Sequence, residues 1–251
     1  MNSGARWRGR AILFDLFGTV VHFAARVPVA QAAGAPWRAA MQWLRQAAEE
    51  EVPQLGFEDL LTALMRVTEE IVRQRPPEYR EVPSHERFRR ALSQLGVDTD
   101  GVRAAAERLS LAHMAHLASL TILPEGHLRL LWKLGARYPL GLVSNFDHGP
   151  TARRVLDAHG LSSRFQTIVI SDDFGRRKPH RSIFEAALQD LGASAEETLF
   201  IGDSLGDDVC GARNAHLRVA WLNPNREPAP ADGVQPDYVI GCLADLNALV
   251  A

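Results

Sequence analysis

Four side chains that can do chemistry stand at the ends of short apolar runs or in a loop between them. Asp15 ends the run RAILFD, Ser144 ends LGLVS and Asp203 ends TLFIGD, while Lys178 lies in the loop sequence GRRKPH. A charge beside an otherwise buried run must be solvated at its end or used for binding or catalysis. Two carboxylates can hold a hard divalent cation, a hydroxyl can bind phosphate oxygens, and a lysine can neutralise the remaining charge. A carboxylate can also attack phosphorus as a nucleophile.

The apolar runs predict the strands that would bring these residues together. Six short runs rich in β-formers occur at 10–15, 140–144, 165–171, 198–203, 218–222 and 238–240, and helical stretches at 151–159, 182–191 and 207–215 lie between the later ones. Strand and helix alternating at this spacing predict an α/β fold with a doubly wound, mainly parallel sheet. Because the carboxyl ends of such strands share one edge, where ligands bind, the four side chains should converge there.

Residues 23–119 have a different pattern. Sequences such as EDLLTALMRVTEEIVRQR and GVRAAAERLSLAHMAHLA combine helix formers with apolar residues near a 3.6 period, and turn signals separate them. We expect four or five helices, inserted after the first strand, with the chain returning to the α/β domain near ILPEG (122–126). The predicted domains are therefore an α/β core at 1–22 and 120–251 and a helical cap at 23–119.

The composition of the chain limits the classes of partner that we expect. The chain has 251 residues, 46% of them hydrophobic, with a net charge of -2, and its pI is about 6.5. Nothing in these values indicates a nucleic-acid surface or a polybasic membrane anchor, so we expect a small-molecule substrate and a monomer or homodimer.

The location is predicted from the N-terminal residues and the cysteines. The apolar stretch after MNSGARWRGR is short and interrupted by Asp15, so no signal or membrane-spanning segment is expected. Cys210 and Cys242 have no metal-ligand spacing and are expected to be small buried side chains. We predict a cytoplasmic protein. Lysine occurs only at Lys133 and Lys178, which makes Lys178 more informative than a lysine usually is.

Five motifs, in order, are similar to those of the haloacid dehalogenase (HAD) superfamily. They are DLFGTV, LVSN, RRKPHRSIF, GDSLGDDVCGARNA and PDYVI. The chain most resembles subfamily IA, whose helical cap is inserted after the first core strand. The resemblance implies a HAD-like α/β core with such a cap, and a hydrolase that uses Mg²⁺ and an aspartyl-phosphate intermediate.

The resemblance also implies roles for residues near the nucleophile and the metal. Asp15 would be the nucleophile and a metal ligand, and Phe17 would offer its backbone carbonyl to Mg²⁺. Asp203 would be a direct ligand, and Asp208 a ligand or the acid that holds a metal-bound water. The adjacent Asp207 is expected on a solvated face, because helix geometry aims neighbouring side chains differently.

Phosphate-binding residues follow from the same comparison. Ser144 and Asn145 would bind the phosphoryl group, and Lys178 would pair with Asp15 and the substrate. Gly18 would permit a tight turn that brings backbone amides near the phosphate, and Thr19 would steady that loop.

Phe17 departs from the family pattern, because phosphatases of this family usually carry an aspartate there as general acid and base. Losing such a group typically costs about 10²–10⁴ in rate. A phosphohydrolase with weakened acid–base chemistry would favour substrates with good leaving groups, or His22, Asp147 or His148 would substitute.

Other reactions remain open. A 2-haloacid dehalogenase has an aromatic residue at this position and needs no metal, and a cap arginine such as Arg26, Arg38 or Arg45 would hold the halide. Against it, the fourth motif keeps both acidic positions that a metal would use. A phosphonatase needs a cap lysine, and the predicted cap has none. A HAD-like binding or regulatory protein with little turnover is the remaining class.

Overall fold

The central element of the protein is a six-stranded parallel sheet. The computed structural model describes residues 6–24, 41, 43–97, 99–229, 231 and 233–250. Its strands are β1 (Ala11–Phe14), β2 (His22–Phe23), β3 (Thr121–Ile122), β4 (Leu140–Ser144), β5 (Thr167–Ile170), β6 (Thr198–Gly202), β7 (Arg218–Leu222) and β8 (Tyr238–Ile240). The large sheet has the order β5-β4-β1-β6-β7-β8, and each neighbouring pair is parallel. The predicted α/β class with a doubly wound, mainly parallel sheet is confirmed.

Helices follow the strands and also form a separate group. The helices are α1 (Leu44–Glu51), α2 (Phe57–Gln74), α3 (Ser84–Gln94), α4 (Thr99–Ser119), α5 (His127–Gly135), α6 (Gly149–Ala158), α7 (Ser171–Phe174), α8 (Arg181–Leu191), α9 (Cys210–Asn214) and α10 (Leu246–Leu249). Short 3₁₀ turns lie at Ser162–Arg164 and Leu243–Asp245, and a π-helical turn lies at Leu205–Val209. Within the described residues, no helix is both long and apolar enough to cross a bilayer.

The chain forms two compact units, one made of Met1–Phe23 and Thr121–Ala251 and the other of Ala24–Leu120. In the first unit, every residue of β1, β4 and β6 is buried. Their near-continuous apolar sequence is what a parallel sheet covered on both faces requires. One part of this core packs Leu13, Val143 and Phe200 of the central strands against Phe184 of α8.

The second unit has its own apolar core. Leu44 of α1, Leu60 and Val67 of α2, and Phe88 of α3 are all buried in one cluster, together with Leu109 of α4. Each helix contributes one apolar stripe, as the 3.6-residue pattern of the sequence indicates.

Two details differ from the sequence-based expectations. The strands β2 and β3 pair antiparallel, with His22 opposite Ile122. Strands of two residues are too short to produce an alternating pattern, so the sequence offered no signal for them. Both cysteines are free, and Cys210 is half-buried while Cys242 is exposed. The expectation that both are buried is wrong, since Cys242 caps a surface turn.

Candidate active site

The register of the sheet brings the ends of β1 and β6 together. Phe14 pairs with Ile201, and the next residue, Asp15, donates its backbone N–H to the Ile201 carbonyl at 2.9 Å. Asp203 is the first residue after β6, and the Trp221 indole donates to its backbone carbonyl at 2.9 Å. Since β4 and β6 lie on opposite sides of β1, the two aspartates stand at the point where the strand order reverses. That point is where open α/β sheets bind ligands.

Lys178 is the centre of the charge network at this edge. Its Nζ donates to Asp15 Oδ1 at 2.7 Å and to the Val143 carbonyl at 2.9 Å, and lies 2.7 Å from Asp208 Oδ1. The ammonium group therefore makes two hydrogen bonds and is paired with two carboxylates. The side chain is only 2% exposed, so the charge is stable there only because it is fully paired.

Burial and mutual repulsion raise the pKa values of the acidic groups. Burial raises the pKa of Asp15 to about 6 against the opposing effect of Lys178, and the charge of Asp203 adds to the rise. Burial likewise raises the pKa of Asp208 to about 6, against Lys178 and with a contribution from Asp15. Asp203 is more exposed, yet loss of hydration and the neighbouring Asp208 raise its pKa to about 6 as well. Burial would lower the pKa of Lys178, but the Asp15 and Asp208 carboxylates outweigh it and raise that pKa.

The donor set fits a divalent metal ion. Asp15, Asp203 and Asp208 each offer a carboxylate oxygen, and these atoms lie within 4.8 Å of one another. Three carboxylates beside one ammonium group leave an excess of negative charge, which a cation would offset. An all-oxygen, acidic set of this kind suits Mg²⁺. The residues present therefore fit the ion that the sequence motifs imply.

Among the described residues, three buried polar atoms of this site have no hydrogen bond: Asp15 Oδ2, Ser144 Oγ and Asp208 Oδ1. Asp208 Oδ1 lies 2.7 Å from the Lys178 ammonium in an ion pair, whereas Asp15 Oδ2 and Ser144 Oγ are left without a partner. Ser144 is the last residue of β4 and is fully buried. Because buried polar groups are nearly always hydrogen-bonded, both atoms indicate a site that binds a polar ligand.

The loop after β1 turns sharply against Asp203. Gly18 has φ +97°, and a Cβ at this position would lie 2.4 Å from Asp203 Oδ2. The Gly18 N–H donates to the Val21 carbonyl at 2.8 Å. The buried Thr19 hydroxyl is 3.4 Å from Asp203 Oδ1, to which it donates. The structure thus places Gly18 and Thr19 against a predicted metal ligand.

Phe17 lies in a stack of three aromatic rings. The Phe23 ring is 5.3 Å from it with an interplanar angle of 10°, and the Phe146 ring is 4.6 Å away at 29°. All three residues are half-buried. The side chain two residues after Asp15 therefore joins the β1 loop to the loop after β4, a contact that the sequence did not reveal.

Asn145 has contacts that the sequence did not predict. Its carboxamide bonds to both backbone groups of Lys178 and to the Asp207 carboxylate. Asp207 is 42% exposed, so the expected solvated face is only part of its surroundings. Asp208, by contrast, is buried and accepts from the Ser204 N–H at 2.9 Å.

The structure also describes most of the residues that the sequence offered as a substitute acid or as a halide ligand. His22 Nε2 donates to the Thr19 carbonyl at 3.3 Å, and His148 Nδ1 lies 2.9 Å from the Thr151 hydroxyl at the start of α6. Asp147 is half-buried in the same loop. Arg45 lies 3.3 Å from Glu58 and over the Phe57 ring in the helical unit. Arg26 and Arg38 lie outside the described residues.

Fold and site together define an α/β protein with an acidic, lysine-centred ligand site at the carboxyl edge of a parallel sheet. The chain belongs to the haloacid dehalogenase-like hydrolases, whose family model matches residues 10–216. The resemblance seen in the motifs is thereby confirmed, and the protein is a hydrolase by family.

Individual relatives agree with this assignment. The pyrimidine 5′-nucleotidase YjjG of Escherichia coli (strain K12) is 28% identical over 168 residues, which cover 64% of this chain and 74% of the relative. A phosphoserine phosphatase of Thermus thermophilus is 29% identical over 165 residues, covering 65% of this chain and 64% of the relative. The crystal structure of a 2-haloacid dehalogenase from Pseudomonas syringae pv. Tomato DC3000 has a TM-score of 0.73 at 24% identity, over 96% of this chain and 97% of the other. This last similarity concerns the fold alone.

Proposed function

We propose that the protein is a Mg²⁺-dependent phosphohydrolase that acts on a small phosphorylated molecule through an aspartyl-phosphate on Asp15. The observation that carries the proposal is the pairing of Lys178 with Asp15 and Asp208, beside two buried oxygens that have no partner among the described residues. Relatives named as phosphatases and nucleotidases support the same class of substrate.

In this mechanism Asp15 is the nucleophile. Lys178 holds Oδ1, so Oδ2 keeps its lone pairs and attacks phosphorus. The bond from phosphorus to the leaving oxygen breaks, and that oxygen departs with the electron pair. Water then attacks the phosphorus of the aspartyl-phosphate, the bond to Asp15 breaks, and inorganic phosphate is released.

The surrounding residues bind and stabilise charge. The Ser144 hydroxyl donates to a phosphoryl oxygen, and the Lys178 ammonium offsets the charge that develops on the equatorial oxygens. Asp15, Asp203, Asp208 and the Phe17 carbonyl would hold Mg²⁺. When bound, the ion supplies a Lewis acid that orients the phosphoryl group and offsets its charge.

Phe17 limits the choice of substrate. A phenyl ring cannot protonate a leaving alkoxide, so aryl and acyl phosphates, whose leaving groups need little protonation, should react fastest. The cytoplasmic location and the monomeric or homodimeric state stay predictions.

The dehalogenase alternative rests on Phe17 as well. In that reaction the Asp15 carboxylate would displace halide from carbon without a metal. The acidic pair of Asp203 and Asp208 favours the phosphohydrolase, because together with Asp15 it forms an all-carboxylate set suited to a divalent cation, which the dehalogenase reaction does not need.

One assay distinguishes a phosphohydrolase from a dehalogenase and from a binding protein. Turnover of an aryl phosphate and of 2-chloropropionate is measured with Mg²⁺ and with EDTA. We expect phosphate release that EDTA abolishes. Chloride release unaffected by EDTA would overturn the proposal in favour of a dehalogenase, and silence in both assays would favour a binding role.

Asp15→Asn tests the nucleophile. The variant should still fold, because the amide oxygen can accept from Lys178 and Asp208 remains paired with the ammonium group, but it should lose all turnover. Undiminished turnover in a folded Asp15→Asn variant would exclude the mechanism.

A further inference from the structure

The carboxamide of Asn145 lies between two loops and uses its hydrogen-bonding capacity on them. Its Oδ1 accepts from the Lys178 backbone N–H at 2.7 Å. Its Nδ2 donates to the Lys178 carbonyl at 3.0 Å and to Asp207 Oδ2 at 3.1 Å. The orientation of the amide is unambiguous, since its oxygen faces a donor and its nitrogen faces two acceptors.

These bonds leave no amide hydrogen for a substrate. An asparagine side chain has two N–H donors, and both are engaged. A role as phosphate ligand, which the sequence predicted for Asn145, would require breaking one of them. The bonded carboxamide instead ties together three segments: the end of β4, the loop that carries Lys178, and the turn Leu205–Val209 that carries Asp208.

The hydrogen bonds of Asn145 hold the backbone from which the Lys178 side chain extends. Both backbone polar groups of Lys178 are held by one side chain, and its Nζ reaches Asp15 and Asp208, each at 2.7 Å. Asp207 is the direct neighbour of Asp208, so Asn145 also holds the backbone on which that carboxylate stands. A shift of the loop would leave a buried ammonium without its partners, which costs far more than the lost amide bonds.

We propose that Asn145, anchored by Asp207, is a positioning residue that holds Lys178 in place for the reaction rather than a ligand of the phosphoryl group. The kinetic consequence rests on the proposed function. The structural consequence does not, because it concerns the protein without substrate.

The chain offers a direct probe of this geometry. Lys178 is buried and Lys133 is exposed, and they are the only lysines of the sequence. Reductive methylation with formaldehyde, followed by peptide mass spectrometry, therefore reports the two side chains separately. Lys133 should react quickly in the variants at positions 145 and 207, for which it serves as the internal standard.

Asn145→Ala should make Lys178 at least about tenfold more reactive, because local opening exposes it. In the phosphatase assay kcat should fall about 10–100-fold. The KM and the inhibition constant for inorganic phosphate should change less than about threefold, because the lost contacts are not made to the substrate.

Two further variants keep the test decisive if Asn145→Ala fails to fold. Asn145→Asp puts a carboxylate against Asp207 and should expose Lys178. Adding Asp207→Asn should restore part of the protection, because the amide at position 207 can donate to the carboxylate at position 145, while the bond to the Lys178 carbonyl stays lost.

The matched control is Asn247→Ala. Asn247 accepts from Lys133 Nζ at 2.6 Å, so this variant breaks an asparagine–lysine contact outside the site. Lys178 protection and kcat should not change.

The proposal is overturned if folded Asn145→Ala keeps Lys178 protected while its affinity for inorganic phosphate falls. It is equally overturned if Asp207→Asn gives no rescue of Asn145→Asp. A failure of the proposed function would look different: no phosphatase turnover in any variant, with the methylation pattern still as expected.

Discussion

At the residue scale, Phe17 combines a chemical loss with a structural gain. In the proposed mechanism the ring leaves no proton donor two residues after Asp15, yet it stacks on both Phe23 and Phe146. Aromatic pairs of this kind contribute about 0.5–1.5 kcal/mol each beyond the area they bury. The position therefore cannot be changed for chemistry without a cost in stability.

Phe17→Asp tests both effects. We expect turnover of alkyl phosphates to rise relative to aryl phosphates, since the new carboxyl group can protonate the leaving oxygen. The free energy of unfolding should fall by about 1–3 kcal/mol, since two ring contacts are lost. Steady-state kinetics and urea unfolding measure the two changes.

Phe17→Leu is the matched control for that variant. It should lower stability without any gain on alkyl phosphates. Equal rate changes in both variants would show that the acid is not what limits turnover.

At the scale of elements, the β1 loop depends on Gly18. An alanine here would be strained at φ +97°, and its Cβ would meet the Asp203 carboxylate. That carboxylate is the free end of a side chain and can turn away, so the damage should fall on metal binding more than on folding.

Gly18→Ala should therefore reduce the Mg²⁺-dependent rise in melting temperature and destabilise the protein by about 1–2 kcal/mol. Calorimetry with and without Mg²⁺ measures both. Gly206→Ala is the control, because a Cβ there meets nothing within 4 Å. A full Mg²⁺ effect in Gly18→Ala would contradict the close packing of this loop on Asp203.

An ion-pair cluster on helix α3 makes a pH-dependent contribution to the stability of the protein. Arg89 donates to both oxygens of Glu86, at 2.6 and 2.8 Å, and Arg90 donates at 2.8 Å. The Arg89 hydrogen bond, opposed by burial and aided by Arg90, lowers the pKa of Glu86 to about 2. Because the folded state holds the charged form, this stabilisation is complete above the carboxyl's ordinary pKa and is lost as the pH falls toward 2.

Glu86→Gln should lower the free energy of unfolding by about 1 kcal/mol at neutral pH, which is the upper end of the range for a partly exposed ion pair. At about pH 3 the difference in the free energy of unfolding between Glu86→Gln and the original protein should be less than half of its value at neutral pH. Much of the stabilisation by the charged Glu86 carboxylate is lost at that pH. Urea midpoints at the two pH values test this. Glu185→Gln, which breaks the more exposed Arg181 pair, should have a smaller effect.

At the scale of the whole molecule, the two compact units have separate apolar cores. The three candidate metal ligands all belong to the α/β unit. Stabilisation by a ligand acts on the part whose folding creates the site.

Mg²⁺ should therefore slow hydrogen exchange in β1, β4 and β6 and leave α2 and α3 unchanged. At about 100 times its Kd it should add about 2.7 kcal/mol to the stability of the α/β unit. Asp203→Asn, which changes the most exposed ligand, should fold and lose this effect. Equal protection of both units, or a retained effect in Asp203→Asn, would contradict the site.

Much of this arrangement was predictable from the sequence. The strands β1, β4 and β6 are short, wholly buried apolar runs, and Asp15, Ser144 and Asp203 stand where those runs end. The topology of parallel sheets then requires such ends to share one edge. Residue type and position along the strand were enough, because these restrictions come from the backbone.

Other features depended on the tertiary structure. The sequence predicts Asn145 as a phosphate ligand, but it gives no sign of the three bonds that Asn145 makes to Lys178 and Asp207. The ring neighbours of Phe17 are likewise visible only in the folded protein. The sequence determined which chemical groups meet at the sheet edge, through the periodicity and order of its strands. Which groups are already bonded to one another was decided only by the tertiary structure, because hydrogen bonds and ring stacking depend on distances of a few ångströms between loops far apart in the chain.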